Sequence, residues 1–326
     1  MKNALIAIIK TAVTALLFFF LFRKTNFQEF FETLRHARLD ILFVGFFVLW
    51  LGHYMCIFRW RMLMRPLMPV LSIPSLFGIY CIGLFFNLTF PTAVGGDVVK
   101  MYYAGKPSKR FAQSFAATFL DRDAGMFAMM IIASVATVIH PVSLPAIPVS
   151  LIVWSALIAF LLANIAIFMP SWHRRVTSFL ARARLTRVAR KIDAISSVFQ
   201  VIGKHRDILL NSLAISLINQ SLVISVTWIM AIGLNIDVSP HYFLVFVPVI
   251  TLISMIPLSL NGMGLREYAF LSLFGAIGVD RESCIALGLL SSILTIVSAI
   301  PGGVIYIFFR NRSDVEHIAA LETDFS

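Results

Sequence analysis

Acidic residues are scarce in this 326-residue chain, with 16 Asp and Glu against 27 Lys and Arg. Charge of either sign is thin, at 13% of residues, where a soluble domain carries about a quarter. Set beside 59% hydrophobic residues, that deficit excludes an ordinary water-soluble globule. Cysteine is almost absent. Cys56, Cys81 and Cys284 fall in or beside apolar stretches and lack metal-ligand spacing, which excludes a disulfide framework and a zinc site. No HExxH, Walker, GxSxG or CxxC pattern occurs, so soluble-type catalysis has no support and no cofactor or metal is expected.

What is abundant is apolar sequence in blocks of about twenty residues, the length a helix needs to cross a ~30 Å hydrocarbon core. Thirty Phe and five Trp suit lipid-facing surface and interfacial belts. Full spans are expected over residues 4–22, 39–58, 120–139, 147–168, 208–234 and 284–309. The first block is followed by Arg23, Lys24 and Thr25 rather than a small-residue cleavage site, so it reads as a retained helix. The net charge of +11 then records topology, because Lys and Arg concentrate in cytoplasmic loops, and it implies no nucleic-acid partner.

Two further apolar stretches are interrupted. Residues 76–90 run into Pro91 and the Gly95–Gly96 pair, and residues 242–256 run into Pro257, Gly262 and Gly264. Each breaks where a continuous helix needs its backbone hydrogen bonds. Loop charge decides how they sit. Residues 172–206 carry Arg174, Arg175, Arg182, Arg184, Arg187, Arg190, Lys191, Lys204 and Arg206, which predicts a cytoplasmic amphipathic helix on the anionic leaflet. Lys100, Lys106, Lys109 and Arg110 mark a second cytoplasmic loop and Arg59, Arg61 and Arg65 a third. Arg310 and Arg312 place the C-terminus inside, and the N-terminus with it. Residues 141–148 and 235–240, without Lys or Arg, are expected outside; residues 23–38 must also lie outside, although they are basic.

With these assignments neither interrupted stretch can cross, so each enters and leaves by one face, from opposite sides. The two share a pattern: Pro91, Gly96 and Lys100 are spaced as Pro257, Gly262 and Arg266 are. Each sits in a span–hairpin–span unit, about 39–140 and 208–309, joined by the basic linker at about 171–207. The expected fold is an all-α polytopic membrane protein: one integral membrane domain over 1–326, six full transmembrane helices and two re-entrant broken-helix hairpins in an inverted repeat. The binding site of such a repeat lies near the midplane, where the broken helices meet.

Three runs carry a resemblance: FNLTFPTAVGGDVVKMYYAGK (86–106), FLDRDAG (119–125) and IPLSLNGMGLREYAF (256–270). They look like the motifs of the flippase-like family that includes the transmembrane region of lysylphosphatidylglycerol synthetases, and the likeness covers essentially the whole chain. It implies a multi-pass protein of a bacterial or archaeal plasma membrane, where some members flip a lipid after its head group is modified. The soluble aminoacyl-transfer domain of the synthetases has no counterpart here, so the resemblance does not imply synthetase activity.

The candidate site gathers Pro91, Gly95, Gly96, Asp97, Lys100, Asp121, Arg122, Asn261, Gly262, Gly264, Arg266 and Glu267. The glycines let backbone N–H groups converge on an anion, and Lys100 and Arg266 supply one cation from each repeat. The same residues also serve tight turns and interface anchors. Asp97, Glu267 and the Asp121–Arg122–Asp123 run are ionisable groups in apolar surroundings, either functional or paired, with Arg122 able to join Asp97 or Glu267. Asn219 and Gln220 are interhelical glue or cavity lining; His53, His140 and His241 suit interfacial positions. Three functions fit: translocation of a lipid with an anionic head group or a polyprenyl phosphate, an integral-membrane lipid-modifying enzyme, or a membrane partner for a cytoplasmic transferase.

Overall fold

The computed structural model describes residues 2–90, 95–142, 144, 148–169, 172, 175, 177–178 and 186–323, with backbone alone over 2–8, 186–194 and 309–323. Every regular element among them is helical. The first half comprises α1 (Lys2–Arg23), α2 (Phe27–Arg35), α3 (Leu39–Met64), α4 (Ile73–Thr89), α5 (Gly95–Gly105), α6 (Phe111–Ile139) and α7 (Val149–Phe168). After α8 (Thr186–Gly203), the second half comprises α9 (Arg206–Gly233), α10 (Pro240–Ser254), a 3-10 turn η1 (Leu260–Gly262), α11 (Leu265–Gly275) and α12 (Arg281–Thr323).

Helices α3, α6, α7, α9 and residues Arg281–Phe308 of α12 are long and apolar enough to cross a bilayer, and α1 occupies the expected first span. The protein is a multi-pass membrane protein. Leu39, Phe43, Phe47 and Leu51 lie exposed at four-residue spacing along α3, a lipid-facing stripe. The members of the two interrupted stretches are shorter. Helices α4 and α10 have 17 and 15 residues, about 26 and 23 Å at 1.5 Å per residue. Their partners α5 and α11 have 11 each, about 17 Å. None alone reaches across a ~30 Å core. Both longer members start at a serine followed by proline, Ser72–Pro74 and Ser239–Pro240, and Ser72 accepts a hydrogen bond from the Ser75 N–H.

The halves meet along α3 and α9, the broadest helix pair. Small residues permit the approach: Gly52 faces Asn219, Gly45 faces Ile229, and Gly233 faces Leu42. The order of these contacts makes α3 and α9 antiparallel. Some of the other contacts come in matching pairs. Helix α5 packs on α6 as α11 does on α12, and each short helix packs across on the other half's last span, α4 on α12 and α10 on α6. This is the contact pattern expected of an inverted repeat.

Several boundaries differ from expectation. Helix α3 runs to Met64, so Arg59 and Arg61 are helical residues rather than loop charges. Arg59 is 3% exposed, because α6 supplies it with a carboxylate. Helix α6 starts at Phe111, which puts Asp121, Arg122 and Asp123 inside the helix. In the basic linker, Val198, Phe199 and Ile202 of α8 are buried against Ala116, Ala117 and Leu120 of α6 and their neighbours. That part of the linker rests on protein, not on a leaflet. Arg174, Arg182 and Arg184, and the side chains of Arg187, Arg190 and Lys191, lie outside the described residues.

Candidate functional site: a cationic cavity between the hairpins

The second hairpin turns through left-handed backbone at Asn261 (φ 47°), Gly262 (φ 75°) and Gly264 (φ 82°). Glycine is required where φ is positive and space is closed; a Cβ on Gly264 would strike Leu17 of α1. Glu267 fixes the turn from inside. Its Oε2 accepts the Gly264 N–H at 2.6 Å, its Oε1 accepts the Ser292 hydroxyl at 2.6 Å, and the residue is 0% exposed. Helix α1 braces the turn from outside, where the Leu260 N–H donates to Thr14 Oγ1 at 3.0 Å. Arg266, next to Glu267, is held more loosely: its Nη1 donates to Ser292 Oγ at 3.4 Å. Among the described residues no carboxylate lies within ion-pairing distance of it.

The first hairpin is built differently. The Gly96 N–H donates to Asn87 Oδ1 at 2.8 Å, and a Cβ on Gly96 would fall on the Gly83 carbonyl oxygen. Gly96 therefore closes α5 onto α4, and its N–H is already engaged. Lys100 does not reach an open space. At 7% exposure, its Nζ lies 3.2 Å from Asp97 Oδ1 and 3.9 Å from Asp121 Oδ2, over the rings of Trp60 (5.2 Å) and Tyr80 (5.1 Å). Asp121 Oδ1 accepts from Arg59 Nε at 2.7 Å, and Arg59 Nη1 donates to Ser216 Oγ at 2.7 Å. Of the two partners open to Arg122, the fold supplies Asp97, bound to Nη1. Pro91 lies outside the described residues.

Between the hairpins is a cavity of about 300 Å³. The first half contributes Leu84, Asn87, Leu88 and Arg122. The second contributes Asn261 from its turn and Arg266 from the start of α11, with Thr251, Ser254, Thr227, Ser291 and Thr295 from the helices around it. Val223, Val247, Ile250, Met255 and Phe270 complete the wall. Two guanidinium groups, one from each half, thus share a space whose other polar groups are hydroxyls and amides. Among the described residues, no carboxylate lines the cavity. Two cations facing one space add their pull on an anion, and a guanidinium fork matches phosphate oxygens.

Arg122, Asn261 and Arg266 of the expected set face this cavity, while Gly95, Gly96, Asp97, Lys100, Asp121, Gly262, Gly264 and Glu267 stand behind it, as turn, cap or ion-pair residues. The cation that faces Arg266 across the space is Arg122 of α6, where Lys100 was expected. Sequence reasoning passed over Asn87, Thr227, Thr251, Ser254, Ser291 and Thr295. Their signal was hydroxyls three or four apart in apolar helices, Thr251 with Ser254 and Ser291 with Thr295, which puts each pair on one helix face.

In comparison with known proteins, residues 7–302 match the family described as lysylphosphatidylglycerol synthase TM region. No curated protein and no solved structure matches the chain.

Proposed function

Because the chain belongs to the lysylphosphatidylglycerol synthase transmembrane-region family, a family of membrane lipid handling, we propose that it is a lipid translocase of the cell inner membrane. It moves a lipid with an anionic head group, a phospholipid or a polyprenyl phosphate, across the bilayer. One observation carries this reading: Arg122 and Arg266, from opposite halves, line one cavity that no carboxylate lines among the described residues. The phosphate sits between the two guanidinium groups, the hydroxyls and amides take the rest of the head group, and the acyl chains stay in lipid. A site at the junction of two inversely oriented halves can open to either face in turn.

The lipid-modifying alternative needs a carboxylate as acid or base. Glu267 has both oxygens engaged as a cap and Asp97 is held by Lys100 and Arg122, which favours binding over chemistry. The deciding experiment is transfer of a fluorescent phosphatidylglycerol between leaflets of proteoliposomes. The expected result is movement of chemically unchanged lipid; a modified product would support the enzyme, and the absence of both would support a partner for a transferase.

The reading also commits to a topology, with both termini in the cytoplasm. A cysteine replacing the exposed Lys106 should label only from the cytoplasm, and one replacing Asp237 only from outside. Labelling of both from the same side would mean that the halves are not inverted.

A further inference from the structure

We infer that Asp97 is a resident counter-ion for Arg122, holding the guanidinium until the head group of an anionic lipid takes its place; this rests on the cavity being the head-group site. Five charged groups alternate in a line, Arg122–Asp97–Lys100–Asp121–Arg59, ending on the Ser216 hydroxyl of α9. Only the Arg122 end opens on the cavity, with 30% of its side chain exposed against 14% for Asp97 and 8% for Lys100. Among the described residues, three cations and two anions leave the line one positive charge in excess, and an arriving monoanion neutralises it. Surplus buried charge is costly, so the line is electrostatically disposed towards such a ligand.

Departure of Arg122 does not strand Asp97, because its other oxygen lies 3.2 Å from Lys100 Nζ. Lys100 is in turn held by Asp121 and by the faces of Trp60 and Tyr80. Arg122 can therefore pass from carboxylate to phosphate without leaving a bare charge in low dielectric at either end. Lys100, buried away from the cavity, gains a role from this: it is the partner that Asp97 keeps. The exchange has a mechanical result. Asp97 is on α5 and Arg122 on α6, so their pair ties the first hairpin to the span behind it, and head-group binding releases that tie. The second hairpin has no such release, since its carboxylate, Glu267, binds its own turn and Ser292.

The test uses the purified full chain in detergent with dioctanoyl phosphatidylglycerol as probe. Asp97→Asn should bind it about tenfold more tightly, equivalent to removing a competitor worth about 1.4 kcal/mol. In the Arg122→Gln background the same change should give no gain, because the guanidinium being competed for is gone. In the wild-type chain, hydrogen exchange in peptides covering α5 should rise when the lipid is added. Unchanged or weaker binding by a normally folded Asp97→Asn overturns the inference, and so does α5 exchange that stays constant or falls. If Arg122→Gln and Arg266→Gln both bind the lipid as the wild type does, the head-group reading itself fails.

Discussion

Arg266→Ala should all but abolish lipid transfer while leaving the protein folded. Arg266 lines the cavity, has no carboxylate partner among the described residues, and is tied to the protein by one long bond to Ser292. Its removal therefore costs the fold little. For a bound phosphate, losing a forked, charge-assisted contact costs about 3 kcal/mol, on the order of a hundredfold. Arg266→Lys keeps the charge and loses the fork, so the expected loss is nearer tenfold, on the order of 1.4 kcal/mol. Transfer rates in proteoliposomes, with melting temperatures as a control for folding, check both values. Native transfer by Arg266→Ala would place the head group elsewhere.

The second large effect is on stability. Asp121→Leu removes the carboxylate that Arg59 contacts at 2.7 Å and that stands 3.9 Å from Lys100, in surroundings where Arg59 is 3% exposed. Breaking a buried pair from one side leaves an uncompensated charge, at a cost of about 3–5 kcal/mol. A severe fall in melting temperature and in recovery of monodisperse protein is expected. Replacing both partners, as Arg59→Met with Asp121→Leu, should restore much of the loss, since an apolar pair of similar volume needs no counter-charge. If the double variant is as unstable as the single one, the pair does more than balance charge.

These two arginines show what was and was not legible in the sequence. The hairpins were readable because helix length and helix breakers are local: an apolar run ending at Pro257 and two glycines cannot continue as one span. The inverted order of the halves followed from loop charge and is matched by the antiparallel α3 and α9. The pairing of charges was not readable, because it depends on which helix faces which. Arg59 looked like one more base in a cytoplasmic loop, yet α6 brings it a carboxylate 62 residues away. Lys100 and Arg266 occupy equivalent places in the two sequence patterns, but the residues around them differ. Trp60, Tyr80, Asp97 and Asp121 enclose Lys100, whereas among the described residues no carboxylate pairs with Arg266. Equivalent position did not mean equivalent environment, and the cavity's second cation came from α6.

The buried charge line also sets a timetable for biosynthesis. Arg59 enters the membrane with α3, but Asp121 is 62 residues and Ser216 157 residues further along the chain. At about 5–20 residues per second, the carboxylate follows some seconds later and the hydroxyl later again. Through that interval an arginine faces lipid, where a central position costs about 2.5–3.5 kcal/mol. Its place near the end of α3, five residues before Met64, lets the long side chain reach the membrane interface and wait there. Docking of α6 then draws it inward. The partner that neutralises Arg59 is thus made well after it, and a ribosome pause between α3 and α6 would prolong the interval in which that charge stands alone.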